Sequence, residues 1–94
     1  MEFEWDERKR SANIAKHGVD FLRASLMFSG PILEALDERE DYGEERMIAL
    51  GMAVGTVYRV VYTFRRSRIR IISAQKASRN EQEIYHRSIF GSSD

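Results

Sequence analysis

The chain has 94 residues and a mass of 11.0 kDa, with 15 basic and 15 acidic side chains and no cysteine. That length suits one domain over residues 1–94, and the missing thiols exclude a disulfide scaffold and any thiolate metal site. The start Met1-Glu2-Phe3-Glu4-Trp5-Asp6 is too acidic for a signal peptide, and the longest apolar-leaning run, Met47 to Tyr58, is too short to span a bilayer; a cytoplasmic protein without membrane contact is expected.

Taken in chain order, Phe3 and Trp5 alternate with Glu2 and Glu4, which predicts a short half-buried strand. Asp6 then offers the N-cap of a helix running to about His17, and Gly18 stops it. Asp20 is a second N-cap, with Phe21, Leu22, Ser25, Leu26 and Phe28 assigned to one helical face and Ser29-Gly30-Pro31 as the terminator. From Ile32 the period changes to two. Ile48, Leu50, Met52 and Val54 are assigned to one face of a strand, Gly55-Thr56 to a tight reversal, and Tyr58, Val60, Tyr62 and Phe64 to the same side of the next strand. After an arginine-rich turn from Arg65 to Ser67, Ile69 and Ile71 alternate with Arg68 and Arg70, sending isoleucines to the core and guanidinium groups to the opposite face. Ser78 and Glu81 carry a capping-box signature for a last helix that Ile84 and Tyr85 would dock. The expected fold is α+β, a small single domain in which an antiparallel β-meander packs against two N-terminal helices, with a C-terminal helix and with the helices on one sheet face.

The zero net charge conceals a polarised chain. Residues 1–58 carry 7 basic and 12 acidic groups, whereas residues 59–79 carry Arg59, Arg65, Arg66, Arg68, Arg70, Lys76 and Arg79 and no acid. Such a stretch suits local contact with a polyanion or an acidic partner. Alternation on a strand places Arg65, Arg68 and Arg70 within reach of one phosphodiester, or else on a solvated face paired with carboxylates, here those of the run Glu34 to Glu45. Lys76 and Arg79 flank the start of the last helix, where positive charge opposes the dipole unless an anion is held there. Lys16-His17-Gly18 is both a good helix terminus and a site for a histidine acid or base. The acidic run lacks the ligand order of a calcium loop, and no Gly-rich phosphate loop, serine elbow or zinc motif occurs, so no metal and no cofactor is expected.

Phe3-Glu4-Trp5-Asp6-Glu7, the stretch Asn13 to Phe21, the turn Gly43-Glu44-Glu45-Arg46, and Val61-Tyr62-Thr63 through Arg70-Ile71-Ile72-Ser73-Ala74 together resemble the BrnT family of bacterial toxins. The resemblance runs over nearly the whole chain. It implies a type II toxin, similar in fold to the RelE ribonucleases, that cleaves RNA and arrests growth. It also implies a BrnA-like ribbon-helix-helix antitoxin as partner, operator DNA reached only through that antitoxin, and room for a dimer within the complex. Lys16 and His17 match the family's Lys-His-Gly-Val, Glu45 and Arg46 its Gly-Glu-x-Arg, Arg70 its Arg-Ile-Ile-Ser-Ala, and Lys76, Glu81 and Tyr85 its C-terminal pattern. Gln75 departs from it, standing where an arginine often follows Ser-Ala.

The expected chemistry is metal-independent cleavage by the ribose 2′-hydroxyl. Arg65 and Arg70 would stabilise the phosphate, Arg68, Lys76 and Arg79 would hold the strand, and His17 would be acid or base with Lys16 or Glu45 as substitutes. The alternative is a binding module without catalysis, whose basic strand docks an acidic partner or a nucleic acid backbone.

Overall fold

Asp6 and Asp20 each open a helix by accepting backbone N–H groups that the first turn leaves free. In the computed structural model, which describes residues 1–91, the Asp6 carboxylate accepts from Arg8 N at 2.8 Å and that of Asp20 from Leu22 N at 3.0 Å. These caps start α1 (Glu7–His17) and α2 (Phe21–Ser25). Gly18 ends α1 in the left-handed region at φ 69°, where a side chain would be strained. Arg10 reaches back to Asp20 with two N–H groups, both at 2.8 Å, and ties the two helices together. A 3₁₀ turn, Leu26–Ser29, follows α2 directly.

The strands are β1 (Glu2–Glu4), β2 (Ile32–Leu36), β3 (Met47–Ala53), β4 (Thr56–Arg65) and β5 (Arg68–Lys76), and α3 (Arg79–Phe90) closes the chain. They form one five-stranded sheet in the order β1-β5-β4-β3-β2. β2 to β5 are an antiparallel meander, as expected; β1 joins β5 in parallel, which the local sequence pattern does not signal. The result is a small α+β domain with three helices.

One sheet face carries Ala49, Ala53, Tyr58, Val60, Tyr62, Ile69, Ile71 and Ala74 against Val19, Phe21, Ala24 and Met27 of the α1–α2 layer. Gly51 lets that layer approach closely, because a Cβ there would lie 3.0 Å from Met27 Cβ, Cγ and Sδ. The opposite face carries Leu50 and Val57, with Leu33 and Met52 beside them, under Tyr85 and Ile89 of α3.

Four sequence expectations change here. Helices cover both faces, not one. Leu50 and Met52 lie on the face opposite to Tyr58, Val60 and Tyr62, because a two-residue turn pairs residues of opposite parity: Leu50 faces Arg59, and Gly51 faces Tyr58. That turn is Val54-Gly55, with φ of 49° and 78°, rather than Gly55-Thr56. Leu22, Leu26 and Ile84 are exposed, since α2 and its 3₁₀ extension bury Phe21, Ala24, Ser25 and Met27, and α3 docks through Tyr85 and Ile89.

A register shift interrupts β5: Val61 faces Ser73 whereas Tyr62 faces Ile71, leaving Ile72 unopposed. Beside the bulge, β5 extends past the end of β1, and buried Asn13 of α1 serves the free edge. Its amide donates to the carbonyls of Ala74 at 2.7 Å and Val19 at 2.9 Å, and accepts from Ala74 N at 3.1 Å. Asn13 replaces a missing strand neighbour.

Candidate active site on the open half of the sheet

α3 covers only part of its face. It packs on β2 and β3, and the Tyr85 hydroxyl donates to Pro31 O at 2.8 Å at the start of β2. Among the described residues no helix lies over the opposite end of that face. There the registers bring together Arg65 opposite Arg68, Thr63 opposite Arg70, Glu2 opposite Arg68 and Glu4 opposite Arg70. Residues directly opposite share a face, so the three arginines and two glutamates stand on one surface. Arg46 extends the alternation of β3 beyond Ile48 and joins them. A cleft of about 630 Å³ at this end is lined by Glu2, Glu4, Phe64, Arg65, Arg66, Ser67 and Arg68.

Arg65, Arg68 and Arg70 therefore share one face, as the alternation predicts, and each is paired with a carboxylate, as the alternative reading of that face expects. Arg70 meets Glu4 at 2.7 Å, Arg68 meets Glu2 at 3.0 Å and Glu4 at 3.8 Å, and Glu44 lies 3.4 Å from Arg46 and 3.8 Å from Arg65. The acidic run supplies only Glu44 to this cluster; the principal counter-charges come from β1. Arg66, in the left-handed region at φ 59°, forms no ion pair among the described residues. More than half of the Arg65 and Arg68 side-chain surface is exposed. Ion pairs so exposed contribute at most about 1 kcal/mol, so a phosphate can displace these carboxylates at small cost. Arg70 and Glu4, each only about a quarter exposed, form the tightest pair.

The remaining predicted site residues do not join this cluster, with one exception. Glu45 is at the same end, where its carbonyl accepts from the Thr63 hydroxyl at 2.6 Å while its side chain stays exposed. Lys76 lies at the other end of β5, eight residues from Arg68 and so about 25 Å away. It also faces the other way, opposite Tyr58. Arg79 begins α3 beyond Lys76. Lys16 and His17 end α1, whose anchorage through Asn13 to Ala74 places it on the Lys76 side of the sheet. Grouping these four with the arginines by charge is corrected by the length and two-sidedness of β5; Lys16 and His17 have the placement of ordinary last-turn basic residues.

Two arginines on the same face received no role from the sequence. Arg59 pairs with Glu81 at 3.2 Å, and Glu81 also completes the capping box of α3 by accepting from Ser78 N at 2.8 Å, so Arg59 moors that helix. Arg46 lies with its guanidinium 4.0 Å from the Tyr42 ring centroid, a cation–π contact that fixes it over the open half. Extending the β3 alternation backward by two residues would have found it.

The loop before Arg46 is held by buried Asp37, which accepts from Arg39 Nε and Nη2, both at 2.7 Å. The Arg39 guanidinium holds the Asp37 carboxyl well below the usual carboxylate range. A depressed native value means that this stabilisation is present above the unfolded-chain pKa of about 4 and is lost as the pH falls through the native value. Asp37→Asn is expected to be less stable than the parent at pH 7, with the gap narrowing steadily below about pH 4 in urea unfolding. A gap unchanged between pH 7 and pH 3 would contradict this account.

A one-domain α+β protein with an open, guanidinium-lined sheet face is suited to gripping a polyanionic substrate. The family model described as "Ribonuclease toxin, BrnT, of type II toxin-antitoxin system" matches residues 5–81, and the chain belongs to this family. No curated protein matches it. Membership makes it a ribonuclease toxin, with RNA as substrate and an antitoxin as partner. Among the described residues no helix is long and apolar enough to cross a membrane.

Proposed function

We propose that the protein is a cytoplasmic, metal-independent endoribonuclease whose reaction site is the open half of the sheet. The observation that carries this reading is the meeting of Arg65, Arg68 and Arg70 on one accessible surface beside a cleft. Arg68 and Arg70 hold the scissile phosphate, Arg65 and Arg70 support charge developing on its nonbridging oxygens, and the ribose 2′-hydroxyl is the nucleophile. Lys16, His17, Lys76 and Arg79 have no part at the reacting phosphate. The antitoxin is BrnA-like, with a ribbon-helix-helix part that carries operator binding, and the complex accommodates a dimer of the toxin. The meander under two N-terminal helices supports kinship with the RelE ribonucleases.

A second reading, docking without catalysis, is favoured by the carboxylate paired to each of the three arginines. Incubation of the purified protein with RNA in excess EDTA decides between them. Fragments ending in 2′,3′-cyclic phosphate are expected. Salt-sensitive binding without breakage would establish the docking module, and cleavage abolished by EDTA would establish a metal-dependent nuclease.

A further inference from the structure

Building on the ribonuclease reading, we infer that Glu4 is the general base, the carboxylate that takes the proton from the 2′-hydroxyl. In this geometry one Glu4 oxygen lies 2.7 Å from Arg70 Nη1 and the other 3.8 Å from Arg68 Nη1. A phosphate held by these two guanidiniums therefore lies against the same carboxylate, which places the adjoining ribose within its reach. Parallel pairing of β1 with β5 sets Glu4 directly opposite Arg70, so the position is fixed by backbone register. Glu4 also lines the cleft while keeping about a quarter of its side chain exposed, enough to meet a ligand.

The other carboxylates at this end are less well placed. Glu2 is two-thirds exposed and among the described residues pairs with Arg68 only; Glu44 sits on the β2–β3 loop between Arg46 and Arg65; Glu45 contributes its carbonyl to Thr63 and has no ion pair among the described residues. The charged groups facing Glu4 are Arg68 and Arg70 from β5, Arg65 and Arg66 from the β4–β5 turn, Glu2 on its own strand, and Asp6 just beyond it, which feels the charge of Arg70.

In the step itself the 2′-oxygen bonds to phosphorus as its proton passes to Glu4. The bond from phosphorus to the 5′-oxygen breaks, and that oxygen takes a proton from water. The products are a 2′,3′-cyclic phosphate and a 5′-hydroxyl, and the hydroxide left from the water recovers the proton from Glu4. Nothing is oxidised or reduced.

The test compares Glu4→Gln and Glu4→Asp with the parent in RNA cleavage, in affinity for a 2′-deoxy oligonucleotide that cannot be cut, and in thermal unfolding. Glu4→Gln is expected to lower kcat by about 10² to 10⁴, to bind the deoxy oligonucleotide at least as tightly as the parent, and to lose the acidic limb of the pH–rate profile. Glu4→Asp, which keeps the charge and the strand contact but withdraws the carboxylate by one methylene, is expected to lose roughly 10- to 100-fold and to keep that limb. If Glu4→Gln does not fold, the aspartate variant decides alone. Parental kcat in a folded variant, or an acidic limb that survives in Glu4→Gln, would overturn the assignment while leaving the ribonuclease reading intact. A parent protein that leaves RNA uncut would overturn both.

Discussion

Arg70→Ala is expected to slow RNA cleavage about 100- to 1,000-fold, equivalent to about 2.7 to 4 kcal/mol of lost transition-state stabilisation. The guanidinium stands on the open face, paired with Glu4 at 2.7 Å and opposite Thr63 in the sheet. Removing it leaves a carboxylate where a phosphate must bind, so repulsion adds to the loss of attraction. Folding should survive, because Ile69 and Ile71, the buried residues on either side, are untouched. Arg70→Lys is expected to recover only part of the rate, since an ammonium cannot present two parallel donors to a phosphate. Single-turnover cleavage with a circular dichroism control measures both variants. Full activity in folded Arg70→Ala would remove Arg70 from the reaction.

The second large effect is on stability. Asn13→Ala is expected to cost about 2 to 4 kcal/mol, because it strands the N–H and C=O of Ala74 and the carbonyl of Val19 in a buried place. A domain of this size has only about 5 to 14 kcal/mol in total, so the midpoint should fall by roughly 10 to 30 °C. Asn13→Asp is the informative companion. It fits the same space but brings a negative charge against two carbonyl oxygens, so it should be no more stable than the alanine variant. Thermal unfolding followed by circular dichroism separates the cases, and an aspartate variant as stable as the parent would refute the edge-capping role.

What the sequence disclosed was mostly local. The caps at Asp6, Asp20 and Ser78 with Glu81 were readable because each is settled within three or four residues. The alternation from Arg68 to Ile71 correctly put Ile69 and Ile71 in the core and the arginines opposite. That Arg65, Arg68 and Arg70 share a face follows from the same period and one short turn. The seat of β1 was hidden, because three residues pairing with a strand 66 positions away leave no periodic trace. With β1 hidden, Glu2 and Glu4 could not be recognised as the neighbours of the arginines, and the counter-charge was sought in the nearer acidic run. Charge counting along the chain also merged the two ends of β5, a strand long enough to hold Lys76 far from Arg68 and turned to the other side.

The seam between β1 and β5 has a bearing on when this protein becomes dangerous to its host. Its two sides lie 66 positions apart in the chain, so Glu4 is synthesised well before the Arg70 that it pairs with. On the assignment proposed above, a product interrupted before residue 70 carries Glu4 without Arg70 and cannot cleave RNA. A margin of three residues paired to one neighbour has few bonds to lose, and on the same assignment its local opening would part Glu4 from the arginines while leaving the meander's own pairings intact.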